Sequence, residues 1–243
     1  MAEEVLSLLD LQGSERILDI GCGNGKSTSE IAARVPRGTV VGVDASAAMI
    51  AFAAGRYDKA AHPNLEFAVA NARHLPFGPE FDLVVSFNAL HWVPEQAMAL
   101  QSIHSALKTG GLAQLRLVPK GERKSLENVI EETRLSAPWA QYFRSFHDPY
   151  LHLTPEEYAA LAEQKGFEVR RQHTQAKAWD FESREAFHAF GMVTFVEWSQ
   201  HLPESERPAF VDDVLDRYRY VAADAPGEEN FFRFYQMDIV LAP

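Results

Sequence analysis

Hydrophobic and polar positions alternate along this chain in two rhythms, and residues 16–25, RILDIGCGNG, show the change between them. Ile17, Leu18 and Ile20 form a run of branched apolar residues, the pattern of a strand buried on both faces. Glycines follow at alternate positions, Gly21, Gly23 and Gly25. A polar, helix-compatible run, residues 26–30, then leads into Ile31, Ala32 and Val35. The pattern predicts a strand, a tight turn and a helix whose first N–H groups face a ligand.

The same alternation recurs downstream. Residues 2–11 read as a short amphipathic helix with Val5, Leu8 and Leu9 on one face. Residues 39–43 predict a second strand ending in Asp44, and Ser46 caps a helix carrying Met49, Ile50, Ala53 and Tyr57. Residues 65–69 and 81–87 predict the third and fourth strands. Pro94 opens a helix with Leu100, Ile103 and Leu107 that the glycines at 110 and 111 stop, and residues 112–118 make a fifth strand. Beyond that, helices are predicted over 126–139, from Thr154-Pro155 to Gly166, over 183–200 and over 204–221, with strands at 167–173 and 231–241. Strands alternating with helices argue an α/β fold on a doubly wound, mostly parallel sheet.

Spacing separates the nucleotide chemistries open to the glycine turn. A P-loop, G-x-x-x-x-G-K-[ST], would need its first glycine at Ile20. A dinucleotide G-x-G-x-x-G wants its third glycine one place later than Gly25. Asp19 points elsewhere: a carboxylate before the turn repels a pyrophosphate and attracts an ammonium or sulfonium group. S-adenosylmethionine (SAM) carries both cations and no phosphate. Asp44, 19 residues beyond Gly25, stands where an acidic side chain accepts both ribose hydroxyls.

Composition narrows the partners. The 243 residues fit one large domain or one with a sizeable insertion. A net charge of −11 without a basic stripe argues against nucleic acid. The single cysteine, Cys22, forms no internal disulfide, and its place in the turn favours packing over reactivity. No apolar run approaches the roughly 18 residues of a membrane span, and no signal peptide is evident, so a cytoplasmic protein is expected. No His/Cys spacing signals a metal.

Together ILDIGCGNG, VGVDAS, NARHLPF, SFNALHWVP and LKTGG resemble the class I SAM-dependent methyltransferases, and among them the trans-aconitate type, small-molecule carboxyl O-methyltransferases. The motifs cover about residues 14–118, and LTPEEYAALAEQKGFEV extends the likeness loosely. The resemblance implies a Rossmann-like, seven-stranded sheet whose last strand is antiparallel. It also implies helical insertions that cover the open end of the cofactor crevice. The expected organisation is a SAM-binding core at 1–118, a helical cap at 119–166, strand six at 167–182, a second cap at 183–228 and the final strand at 229–243. Two departures stand out. The family's usual N-terminal lid is expected to be short or absent here, and Asn71 stands where the resemblance implies an Asp that accepts from the adenine amino group.

The expected cofactor residues are Asp19, Gly21, Cys22, Gly23, Gly25, Asp44, Ala45, Met49, Asn71, Ala72 and Asn88. The glycines pass under the methionine part, Asp44 takes the ribose, Asn71 and Ala72 meet adenine, and Asn88 faces the methyl group. Trp92 offers a ring face to the sulfonium or an indole N–H to a substrate carboxylate. His91 and His147 are the candidate proton acceptors, with Arg144 and His147 as acceptor contacts and His152 beside them. A carboxylate acceptor is ionised at pH 7 and needs no base, whereas a phenol, amine or carbon acid does. The expectation is a methyltransferase acting on a small molecule, with a carboxylic acid favoured. Methylation of another O, N or C acceptor is the alternative, and a SAM-binding interaction module without catalysis is the reading from a different class.

Overall fold

The computed structural model describes residues 2–150 and 153–243; His152 lies outside them. In chain order the elements are α1 (Ala2–Leu6), β1 (Arg16–Ile20), α2 (Lys26–Arg34), β2 (Thr39–Asp44), α3 (Ala47–Arg56), β3 (Leu65–Val69), β4 (Phe81–Phe87), α4 (Gln96–Ala106), β5 (Leu107–Leu117), α5 (Leu126–Arg134), α6 (Pro155–Gln164), β6 (Glu168–Asp180), α7 (Arg184–Thr194), α8 (Val196–Ser199), α9 (Arg207–Ala222) and β7 (Phe231–Ala242). Seven strands form one sheet in the order β3-β2-β1-β4-β5-β7-β6. β1, β2, β3, β4 and β5 pair in parallel, and β7 runs antiparallel to β5. The order reverses between β1 and β4. The carboxyl ends of those strands therefore open onto the crevice where doubly wound sheets bind ligands.

Two compact units are present. The first comprises residues up to Val118, Pro155–Thr174 and Met237–Pro243; the second comprises Pro119–Thr154 and Gln175–Gln236. The boundaries differ from the expected ones. α6 belongs to the first unit rather than to a cap, because it buries Tyr158 and Ala162 and is followed by Phe167, which meets the His104 ring of α4 edge-on at 5.1 Å. Strands β6 and β7 each run from one unit into the other.

In the first unit, Ile17, Leu18 and Ile20 are buried, as their unbroken apolar run predicts. Ile17, Ile31, Ala32, Val35, Val40, Leu65 and Val85 pack as one cluster, with Leu6 of α1 and Phe67 and Phe87 against it. Each such aliphatic side chain contributes about 1.5–3 kcal/mol by leaving water. A buried ion pair crosses this interior. Arg116 of β5 lies opposite Asp238 of β7 and donates to both its carboxylate oxygens, at 2.7 and 2.9 Å, while Glu4 of α1 stands 3.3 Å from its third nitrogen. Burial works against the guanidinium charge, and these carboxylates hold it in place.

The second unit is built around α9. Tyr218 is buried beneath Phe187 of α7, and the indole N–H of Trp139 donates to Asp213 at 2.7 Å.

Several element bounds moved. α1 stops at Leu6, since Leu9 and Leu11 turn in to pack on the cluster. α4 stops at Ala106, ahead of the glycine pair, because Leu107 already pairs with Phe81; the glycines sit in an irregularity of β5, with Gly110 at φ +82°. The helix expected over 126–139 ends at Arg134, and β6 extends to Asp180. The stripe predicted as one helix over 183–200 breaks at Phe195. There Thr194 Oγ1 donates to the Phe190 carbonyl at 2.8 Å, a bond that bends helices. Among the described residues no helix is long and apolar enough to cross a membrane.

Candidate active site

The glycine turn leaves β1 with Gly21 N–H and Cys22 N–H both donating to the Val43 carbonyl, at 2.8 and 3.0 Å, which fastens it to the end of β2. Its three glycines all have positive φ. At Gly21 a Cβ would lie 2.1 Å from the Ala89 methyl, so the turn and the segment after β4 approach as closely as glycine permits. At Gly23 a Cβ would meet nothing within 4 Å. The backbone there borders open space, as a surface that receives a ligand requires. Gly25 caps α2 in the left-handed conformation, and Asn24, unmarked by the sequence reading, accepts from Lys26 N–H at 3.1 Å.

Asp44 ties the two loops together. One carboxylate oxygen accepts from Gly23 N–H at 3.0 Å and the other from Ser46 N–H at 2.8 Å. Each oxygen keeps lone-pair capacity for a hydroxyl donor. The helix cap is Ser46 itself, whose hydroxyl accepts from Met49 N–H, so Asp44 stays at the half-buried mouth of the site. Ala45 and Met49 are exposed beside it.

Asp19 lies sealed behind the turn rather than at its mouth. Its side chain is only 2% exposed and accepts from the Thr28 hydroxyl at 2.7 Å. Burial pushes its pKa up to about 6, against the lowering effect of Thr28 and with help from the nearby Asp44 charge. A sealed carboxylate of this kind could act on a cation only through space, across the turn. Cys22 is likewise buried, and desolvation together with Asp19 and Asp44 raises its thiol pKa, so it packs and stays protonated.

Asn71 is exposed, but its amide oxygen is engaged, accepting from Arg73 N–H at 3.0 Å and from Arg73 Nε at 3.2 Å. A local side-chain turn thus engages the oxygen that was expected to accept from adenine. Ala72 next to it is buried. Asn88 follows β4 at φ +58°, its N–H donating to the Arg116 carbonyl at 2.8 Å. That conformation is uncommon for a residue with a side chain and recurs at ligand sites.

His91 and Trp92 share a single 3-10 turn. His91 is 5% exposed, its Nδ1 accepts from Val118 N–H at 3.3 Å, and burial pushes its pKa down to about 3. Those facts remove it from the general-base candidates: it is a packed, neutral imidazole that fixes the turn. Trp92 is half-buried, its ring 5.6 Å from that of His91. Gln96 holds the same turn by donating to the Leu90 and Val93 carbonyls, and buried Ser86 donates to the Ile20 carbonyl at 2.8 Å. Sequence reasoning missed Ser86, Thr28 and Gln96. Ser86 and Thr28 announce themselves only as polar residues within apolar stretches. Arg144 and His147 are exposed in the second unit, outside any helix.

The structure thus gathers the cofactor candidates, with Trp92, at the ends of β1, β2, β3 and β4 in the first unit. The open surface at Gly23, the two carboxylate oxygens of Asp44 and the buried negative charge of Asp19 fit a nucleoside with a cationic tail. A family described as "Methyltransferase domain" matches residues 17–111. Trans-aconitate 2-methyltransferase of Deinococcus radiodurans is 27% identical over 96% of this chain and 88% of its own length. A Bacillus halodurans crystal structure described as a methyltransferase superposes with TM-score 0.71 at 19% identity, over 99% of this chain and 97% of that one. Phosphoethanolamine N-methyltransferase 2 of Haemonchus contortus, solved with S-adenosyl-L-methionine, gives TM-score 0.63 at 20% identity, over 100% of this chain and 52% of that one. The chain thus carries a match to a methyltransferase domain over residues 17–111, has a methyltransferase-like fold and resembles the trans-aconitate methyltransferase type of the class I SAM-dependent methyltransferases.

Proposed function

We propose that the chain transfers the methyl group to the carboxylate of a small organic acid, forming a methyl ester. The observation that carries this reading is the state of His91. The histidine next to the methyl-facing edge is sealed, neutral at pH 7 and committed to Val118 N–H. An acceptor that arrives already ionised makes no demand on it, and a carboxylic acid, with a pKa near 4, is such an acceptor. The trans-aconitate methyltransferase relative supports the same choice.

When bound, the cofactor supplies a methyl carbon activated by its sulfonium. The chain's own residues then have three tasks. Asp44 would hold the ribose hydroxyls, and the Gly23 backbone would receive the tail. Asp19 favours the positive charge from behind the turn. Trp92, fixed by His91 and Gln96, presents its ring or indole N–H to the acceptor. Alignment and exclusion of water supply most of the acceleration in such a displacement, and these can reach several kcal/mol.

Incubating the pure chain with methyl-labelled SAM and a panel of carboxylic acids, phenols and amines tests the reading. The expected product releases labelled methanol in mild base. Label that stays attached under those conditions, found only with amines or phenols, would refute the carboxylate acceptor and favour the N or O alternative. In the same assay Arg144→Ala and His147→Ala examine the two candidates of the second unit. A rise in KM is expected if they receive the acceptor.

A further inference from the structure

A second cleft in the first unit takes no part in the steps above. It is an open cleft of about 510 Å³, within the usual size range of small-molecule sites, and its polar lining is Arg73, His74, Gln101, Ser102, Ser105 and Lys165. No carboxylate lines it among the described residues. In a chain with 34 acidic and 23 basic side chains, that local excess of positive charge runs against the whole.

The donors are arranged unequally. Ser102 and Ser105 spend their hydroxyl protons on the Arg73 and Gln101 carbonyls, at 2.8 and 3.0 Å. Arg73 is held at two points, by Glu95 at 3.1 Å and by the Asn71 amide oxygen at 3.2 Å. Lys165, which follows α6, has no ion pair among the described residues. Its ammonium, the Gln101 amide and the His74 ring are thus donor groups in the lining of a cleft whose own wall holds no carboxylate, the neighbouring Glu95 being spent on Arg73.

We propose that this cleft binds a small, multiply charged oxyanion, a phosphate- or polycarboxylate-bearing molecule, and that its occupancy tightens cofactor binding. The link runs through Arg73. An anion in the cleft competes with Asn71 for the guanidinium. When Arg73 Nε leaves, the Asn71 oxygen keeps the Arg73 backbone N–H and regains one lone pair for the adenine amino group. By reciprocity, cofactor binding strengthens the anion's affinity by the same factor. The linkage rests on Asn71 meeting adenine, as expected above; binding of the anion does not.

Calorimetric titration of pyrophosphate and, separately, of citrate into the full chain tests the site. At least one probe is expected to bind, and Lys165→Ala to weaken it by about fivefold or more, as loss of a charge-assisted contact does. Lys59→Ala, which alters an exposed lysine paired with Glu66 elsewhere, is expected to leave it unchanged. A response to pyrophosphate alone assigns a phosphate ligand, and one to citrate alone a polycarboxylate. Failure of both probes at millimolar concentration, or equal weakening by Lys59→Ala, would overturn the site. With a binding probe at saturation, the dissociation constant for SAM is expected to fall severalfold. An unchanged value in a chain that binds the probe overturns the linkage and leaves the site standing, so the two failures are distinct.

Discussion

Replacing Asp19 with Asn separates what this carboxylate costs the fold from what it gives the cofactor. The folded chain raises its pKa from 3.8 to about 6. Each pK unit corresponds to 1.36 kcal/mol, so the buried charge destabilises the fold by about 3 kcal/mol at pH 7. Because the folded value lies above the unfolded one, the native state binds the extra proton between them. Stability therefore falls as pH rises from about 4 through 6, and the full penalty applies above that window. Asn keeps an oxygen for the Thr28 hydroxyl but strands an amide N–H, at a cost of about 1 kcal/mol. Asp19→Asn is thus expected to stabilise the cofactor-free chain by about 2 kcal/mol at pH 7. For a chain this size that is about 4–8 °C in Tm, and the gain disappears near pH 4. The same substitution removes an attraction of about 1–2 kcal/mol between a buried carboxylate and a cation across the turn, weakening SAM binding roughly tenfold. Thermal unfolding at pH 7 and 4 and calorimetry with SAM read both effects. A variant that is less stable at pH 7, or that binds SAM as well as the parent, would refute the reasoning.

The other expectations are more local. Gly21→Ala should destabilise the fold by more than about 2 kcal/mol, since its methyl would sit 2.1 Å from that of Ala89. Gly23→Ala, facing open space, should lose only about 1–2 kcal/mol yet bind SAM at least tenfold more weakly; urea titration with calorimetry distinguishes the pair. Asp238→Asn, by stranding the buried Arg116 guanidinium, should cost about 3–5 kcal/mol in urea unfolding, whereas Glu4→Gln, at a partly exposed partner, should change stability by at most about 1 kcal/mol. The pH profile of kcat on a carboxylate acceptor should show no histidine limb near 6.5, because burial holds His91 at about 3. A limb there that His91→Gln abolishes would restore it as a base.

The sheet was legible because residues buried on both faces have to be apolar, and Ile17, Leu18, Val84 and Val85 show it residue by residue. The antiparallel β7 was legible only through the family resemblance. The carboxylates at 19 and 44 were equally visible, yet their different duties were not. Which way a strand-end side chain points depends on what packs over it, and only the fold brings Thr28 over Asp19 and leaves Asp44 at the mouth. His91 misled for the same reason: its partner, Val118 N–H, is 27 residues away. The Asn71 oxygen is engaged by a bond two residues along the chain, a local competition that composition does not reveal. The helix break at Phe195 lies beside the one hydroxyl, on Thr194, that bonds back to the Phe190 carbonyl inside an otherwise continuous aromatic stripe.

The most direct test of the central claim is competitive calorimetry on the full chain with SAM, S-adenosylhomocysteine and NAD. The turn, with Asp19 behind it and Asp44 at its mouth, is built for a nucleoside that carries a cation and no phosphate. One SAM per chain should bind, its demethylated product should compete for the same site, and NAD should displace neither. Heat from NAD at that site, with none from SAM, would contradict the account.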